Sequence, residues 1–442
     1  MDLSTFKDET CYPVVFLKRL IRGIVDLCAE KEVTSYALTG WIYATERQVV
    51  FMKRAPVSDI LWLFLGTRLL LAACTYFSYI LFPVPPHLYP NTAVDVAGLL
   101  NSWNHWDAQR YVDVAQNGYQ SAYDTPFFPL FPLLIKGIAL LFGNQGYLAA
   151  GMLISNAALL GTLFVLYQLA TDALGEGVGR RTILYLCIFP TAFFFFAAYN
   201  ESLFLLLTCS SFLAMRRRRW WLAGALGLLA ALTRTAGVML ALPFLYEVWT
   251  SRILPATSEA APGFWKQLWQ LLPRTLPVLL MPLGTLAYCA FCWLNFGNPL
   301  AFAAVQSHWG RVTSWPWNGP VYALIELFHV QPFGSFIEAH LLLDMAATFG
   351  FIALAVVCWR RLRISYALWM SLLVLYMLIS PALNQHDTLQ STQRFVLEMF
   401  PGFIVLAALG LRHPRLHSAC MLVFPFLQAL LAALFVLNRW MV

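Results

Sequence analysis

The chain has 442 residues, of which 60% are hydrophobic, 15% aromatic and only 12% charged, with a formal net charge of +7. Soluble domains carry roughly 25% charged residues, so the composition excludes an ordinary water-soluble protein and points to an integral membrane one. Its basic residues stand in short clusters between apolar segments rather than in long tracts mixed with aromatics, which argues for membrane lipids and against nucleic acid as a partner.

Residues 1–55 mix basic and acidic side chains, and Asp2, Asp8 and Glu9 stand where a secretory signal would be basic. Their stretch VVFLKRLIRGIVDL has amphipathic helical spacing. It is expected either on the cytoplasmic membrane surface or as a small solvated helix packed on the protein. The chain thus divides into an amphipathic cytoplasmic extension, 1–55, and a transmembrane domain, 56–442.

Apolar spans follow at residues 59–82, 147–170, 182–199, 202–215, 274–295, 340–359, 365–381, 395–411 and 416–438. No period-2 alternation runs through them, so they are helices and the fold is all-α and polytopic. Residues 220–249 are also apolar but interrupted by Thr233-Arg234-Thr235. A hairpin of two short helices there brings the total to about 11 transmembrane helices; one long tilted helix is the alternative. Cysteines fall mostly inside these spans, and the pair Cys289 and Cys292, on an apolar helix, reads as buried small hydrophobes.

Basic clusters at Lys53/Arg54, Arg180/Arg181, residues 216–219, Arg252/Lys266/Arg274, Arg360/Arg361/Arg363 and Arg412/Arg415 belong in the cytoplasm by the positive-inside rule. The loop 83–126 is then external. Only one crossing fits between it and Arg180, so residues 127–143, opened by Pro126, Pro129 and Pro132, should dip into the external leaflet or lie along it. The same bookkeeping puts His105, Asp107, Asp113, Glu201, Arg234, His308, Arg311, Glu338, His386, Asp387 and Arg394 together on the external face.

Three external segments carry chemistry. In NSWNHWDAQRYVDVAQNGY, Asp107 is a fitting N-cap and Asn117-Gly118 a fitting C-cap of a short helix. Alternatively Asp107, walled by Trp103 and Trp106, is a general base. Arg110 and Asp113 read as an ion pair that folds the loop. In FGNPLAFAAVQSHWGRVTSWPW, His308, Trp309 and Arg311 form either an interfacial aromatic belt or a sugar and phosphate site, where Trp faces stack on the ring and Arg binds the anion. In LNQHDTLQSTQRFVLEMFP, His386 and Asp387 occupy a loop and Arg394 opens an apolar run, a depth that suits a lipid-linked phosphate. His386, Asp387, His105 and Asp107 include metal-ligand types, but their spacing does not require a metal and none is expected. Glu201 and Arg234 interrupt apolar segments at one depth, as functional charges or as a mutual ion pair. Arg68, inside the first span, is open between snorkelling and a lipid-phosphate contact.

The ordered set Trp106-Asp107, Tyr111, Gly118-Tyr119 and FFPLFP, followed by YNESLF, LTRTAG, GNPLAF, QSHWGR and QRFVLEMFP, resembles the PIG-V family of GPI mannosyltransferases, in particular its bacterial branch. The resemblance runs from about residue 59 to the C-terminus. It implies a GT-C glycosyltransferase fold with a large first external loop holding juxtamembrane helices. It also implies inverting transfer of a sugar, typically mannose, from a polyprenyl-phosphate-linked donor, without metal or other cofactor. By the same resemblance Asp107 is the catalytic base, and Arg394, Arg311 and Arg234 bind the donor phosphate. Trp106, His105, Tyr111, Glu201, His308, Trp309, His386, Asp387 and Gln393 are expected around the substrates. The acceptor is a glycan, lipid or protein. The expected place is the bacterial inner membrane with the site outside the cytoplasm, or alternatively the endoplasmic reticulum with a lumenal site. A lipid-linked-sugar transporter and a non-catalytic scaffold are the competing classes.

Overall fold

The computed structural model describes residues 56–82, 95–251, 272–330, 332–383 and 387–439. The N-terminal extension, with its amphipathic stretch, and His386 lie outside the described residues.

Five helices are long and apolar enough to cross a bilayer: α1 (Val57–Leu81), α5 (Tyr147–Leu174), α10 (Leu272–Phe296), α12 (Phe336–Arg361) and α15 (Pro414–Val436). Helix α5 is the central post, with 56% of its apolar window buried against 28% for α1 and α10, whose large side chains face outward. Arg68 of α1 does not snorkel. Its buried side chain donates from Nη1 to Asn156 Oδ1 at 3.2 Å and lies 5.7 Å from both the Phe64 and Phe196 rings.

The other expected spans are shorter or bent. Residues 182–199 do not form one helix: α6 (Glu176–Ile188) stops because Phe189 precedes Pro190 and takes an extended conformation, ψ 143°. A single 3₁₀ turn, Ala192–Phe195, then leads to α7 (Glu201–Arg216). Helix α13 (Ile364–Leu378) has 15 residues, and Thr392–Glu398 meets α14 (Phe400–Arg412) at an 86° bend. The apolar block at 220–249 breaks at Arg234. Helix α8 (Trp220–Ala231) ends there, and after a 3₁₀ stretch, Thr235–Leu240, α9 (Ala241–Thr250) returns until Phe244 meets the Trp220 ring at 5.6 Å. Gly237 permits the turn, since a Cβ there would lie 2.3 Å from the Ala231 amide nitrogen.

Charged contacts sort the helix ends into two layers. Asp59–Arg180 at 3.2 Å, Asp172–Arg217 at 4.0 Å and Glu247–Arg216 at 3.6 Å tie one end together. From Arg216 the 16 residues of α7 rise about 24 Å at helical pitch. At the far end stands Glu201, with the short helices α3 (Asp107–Asn117) and α4 (Leu130–Leu141) near it, while α2 (Val96–Asn101) packs on α1. Helix α4 has 12 residues, too few to cross, and packs on α5; α11 (Asn318–Ile325), with 8 residues, is also too short to cross. Its Leu130 amide donates to Leu232 O at 3.0 Å, so the α8–α9 turn and the start of α4 meet at this end.

Candidate active site

Helix α3 begins at Asp107, but Asp107 does not cap it. Trp106 occupies the N-cap position in a left-handed conformation, φ 55°, rare for a bulky residue, and no side chain caps the first turn. The Asp107 carboxylate is committed elsewhere: its Oδ2 accepts from Arg394 Nη1 at 2.7 Å. The C-terminal signal behaves as expected, with Asn117 last in the helix and Gly118 at φ 75°. Among the described residues no ion pair joins Arg110 to Asp113; Arg110 lines the cavity described below and Asp113 is exposed. One turn after Asp107, Tyr111 is buried edge-on against Phe127 (5.1 Å) and Phe131 (5.0 Å), which seats α3 on the proline-rich start of α4. Burial first, and nearby Glu201 second, push its phenol well above the ordinary value, so it stays neutral.

Arg394 also reaches Glu201 Oε1 from Nε, at 3.3 Å. Glu201 in turn accepts from Arg234 Nη1 at 3.1 Å, and Arg234 closes the chain on Glu398. Asp107, Arg394, Glu201, Arg234 and Glu398 thus alternate in sign along one network. Its terminal carboxylate Asp107 is 32% exposed, whereas Glu201 at the centre is 1% exposed, so Asp107 is the carboxylate of the network most open to a ligand. Isolated buried charges are costly, and alternation is what lets five of them persist together.

Arg311 differs. Gly310, at φ 68°, turns the chain, and the amides of Val312 and Ser314 donate to Pro381 O and Ile379 O, both at 3.0 Å. The guanidinium between them donates to Ser380 O at 3.0 Å and Gln390 O at 2.9 Å. Among the described residues it makes no ion pair. Burial, and then the neighbouring Arg394, hold its pKa down at about 10, which still leaves it cationic.

These groups share a cavity of about 630 Å³. Trp106, Asp107, Tyr111, Arg234, Trp309, Arg311 and Arg394 all line it, joined by Phe194, Tyr199, Tyr376, Gln390 and Phe395. Glu201 stands immediately behind the two arginines it binds. His105 is part-buried beside Phe435, off the lining, and burial lowers its pKa. His308 points away, hydrogen-bonded to the Tyr123 hydroxyl at 3.0 Å. Gln393 and Asp387 are also off the lining. The Gln393 amide donates to Asp344 Oδ1 at 2.8 Å, its carbonyl accepts from Thr191 Oγ1 at 2.6 Å, and Asp387 lies against Asp344.

Sequence reasoning missed Glu398, Asp344 and Phe395. Glu398 and Asp344 are carboxylates inside apolar runs, a signal that membrane burial makes meaningful. Phe395 gave no signal, because Arg234 and Arg311, which join the adjacent Arg394 around its ring, come from distant parts of the chain.

A model of the mannosyltransferase (PIG-V) family matches residues 60–307, which include Asp107, Glu201 and Arg234 and stop short of Arg311. The chain is 41% identical over 96 residues to GPI alpha-1,6-mannosyltransferase 2 of Homo sapiens, covering 21% of this chain and 20% of that protein. The Mus musculus protein of the same name is 38% identical over 121 residues, covering 25% and 24%. These matches therefore span a quarter or less of the curated relatives. Among solved structures, ArnT from Cupriavidus metallidurans bound to undecaprenyl phosphate aligns with a TM-score of 0.48 and 14% identity over 83% of this chain and 63% of that one. The Archaeoglobus fulgidus oligosaccharyltransferase tethered with an acceptor peptide gives 0.39 and 13% over 86% and 54%.

Proposed function

The chain belongs to the mannosyltransferase (PIG-V) family, and from that premise we propose that it is an integral-membrane glycosyltransferase. It moves a sugar, mannose in the family's pattern, from a polyprenyl-phosphate-linked donor to an acceptor hydroxyl, with inversion. One observation carries the reading: Asp107 and Arg311, a carboxylate open to ligand and a cation with no carboxylate in ion-pair contact among the described residues, line the same cavity.

The chemistry follows from their roles. Arg394 holds Oδ2 of Asp107 and leaves Oδ1 to take the proton of the acceptor hydroxyl. The acceptor oxygen bonds to the anomeric carbon as the bond from that carbon to the phosphate oxygen breaks. The electron pair leaves with the phosphate, whose added charge is met by Arg311 and Arg394. The charge balance supports a monophosphate donor. Three carboxylates and two arginines are already engaged with one another, and Arg311 makes the formal sum neutral. A phosphodiester adds one negative charge to that neutral set and a diphosphate at least two, so the monophosphate donor is the less costly guest. Mg²⁺ or another cofactor has no part in these steps. The acceptor is a glycan, lipid or protein, and the site faces away from the cytoplasm, in a bacterial inner membrane or alternatively an endoplasmic reticulum lumen.

Purified protein in lipid nanodiscs, given radiolabelled polyprenyl-phosphate mannose and membrane extract, should transfer label to an acceptor without added metal. Transport of the labelled lipid across proteoliposomes with no transfer would replace this reading with that of a transporter.

A further inference from the structure

The Phe395 ring is ringed by cations. The guanidinium carbons of Arg311, Arg234 and Arg394 stand 5.0, 5.3 and 5.4 Å from its centroid. The three arginines are not equally held. Arg234 and Arg394 are bound by carboxylates, and Arg394 also faces the Phe194 and Tyr199 rings at 5.6 and 5.5 Å. Among the described residues Arg311 is in ion-pair contact with no carboxylate; two backbone carbonyls and Phe395 hold it, and Asp344, Asp107 and Asp387 act on it from further off. Phe395 itself is fixed. Its amide donates to Ser391 O at 3.1 Å, Ser391 turns the chain at φ 69°, and the turn is anchored to Asp344 through Thr392 Oγ1 (2.9 Å) and the Gln393 amide.

We propose that Phe395 is a positioning residue: the negative face of its ring holds Arg311 in the cavity beside two other arginines, ready for an anionic phosphate. Two carbonyl dipoles and the more distant charges of Asp344 and Asp107 do not fully offset burial and repulsion from Arg394, and an aromatic face supplies part of the rest without competing for the ligand as a carboxylate in contact would. The proposal rests on the reading that these arginines receive the donor phosphate.

Replacing Phe395 with Leu keeps apolar volume and removes the π face; Trp keeps the face. Donor KM and kcat, and calorimetric binding of a short-chain isoprenyl phosphate, are measured for wild type, Phe395→Leu, Phe395→Trp and Arg311→Gln. Phe395→Leu should raise donor KM and the isoprenyl phosphate Kd by about 5- to 30-fold, the size of a desolvated cation–π contact, with kcat falling as well because Arg311 also meets the leaving phosphate's charge, and Phe395→Trp close to wild type. Should Leu fail to fold, Phe395→Met takes its place. An unchanged KM in the Leu variant, or a folded Trp variant as weak as Leu, overturns the proposal. Wild-type isoprenyl phosphate binding by Arg311→Gln would overturn the donor-site reading and the proposal with it. Weakened binding by Arg311→Gln alone overturns only the role of Phe395.

Discussion

Arg394 and Asp107, 287 residues apart in sequence, meet at 2.7 Å in the wall of the cavity. The contact explains why Asp107 opens helix α3 without capping it: a charge-assisted bond to a guanidinium outcompetes one to a backbone amide. Arg394 serves two carboxylates at once, through Nη1 to Asp107 and Nε to Glu201.

Lys keeps the charge of Arg394 but has a single terminal nitrogen and cannot span both partners. Arg394→Lys should therefore fold yet lose transfer activity by at least about 10-fold, the worth of one lost charge-assisted hydrogen bond. Thermal melting in detergent together with a transfer assay checks this; equal activity would show that the fork is not required.

The far end of the network invites a double-mutant cycle. Arg234→Met leaves Glu398 buried beside an apolar side chain, and Glu398→Leu deprives Arg234 of one partner. Each single change should destabilise by about 3–5 kcal/mol, as when one half of a buried pair is removed. The double variant should recover part of that, with a coupling of about 1–3 kcal/mol. Additive losses would mean the pair does not interact in the folded protein.

Much of this arrangement is legible before any coordinates. Asp107, Glu201, Arg234, Arg311 and Arg394 stand out because charges next to apolar runs are expensive, and arginine clusters sort them onto one face. The hairpin at 220–249 is readable for the same reason, since both its ends are basic. What is hidden is pairing. Nothing local says that Glu201 bridges Arg234 and Arg394, or that Asp107 answers an arginine near the other end of the chain. Gln393 and Asp387 looked like ligand residues from their polarity, yet they brace the segment carrying Arg394 against Asp344. Hydropathy also overstated the span at 182–199, where Pro190 ends α6 early.

Asp387 carries a pH signature. Burial pushes its carboxyl above the usual range, against the opposing pull of hydrogen bonds involving Asp344 and the Leu389 amide. A folded-state value above the unfolded one means its contribution is fully present below about pH 4 and is lost as pH rises through the folded value. Asp387→Asn removes that titration. Melting temperatures taken from pH 4.5 upward should show the variant gaining on wild type as pH rises; an offset independent of pH would rule this out.

The proposed sidedness is testable at the two charge layers. With the nine native cysteines replaced, Arg110→Cys at the cavity should react with a membrane-impermeant maleimide added to intact spheroplasts. Arg217→Cys, at the opposite helix ends with Asp172, should react only after permeabilisation. The reverse pattern would put the cavity on the cytoplasmic side.

The role of Asp107 is tested most directly by single-turnover transfer with Asp107→Asn, alongside isoprenyl phosphate binding to the same preparation. Binding should stay close to wild type and the transfer rate should fall by about 10²- to 10⁴-fold, the usual worth of that role. Wild-type turnover by Asp107→Asn would contradict it.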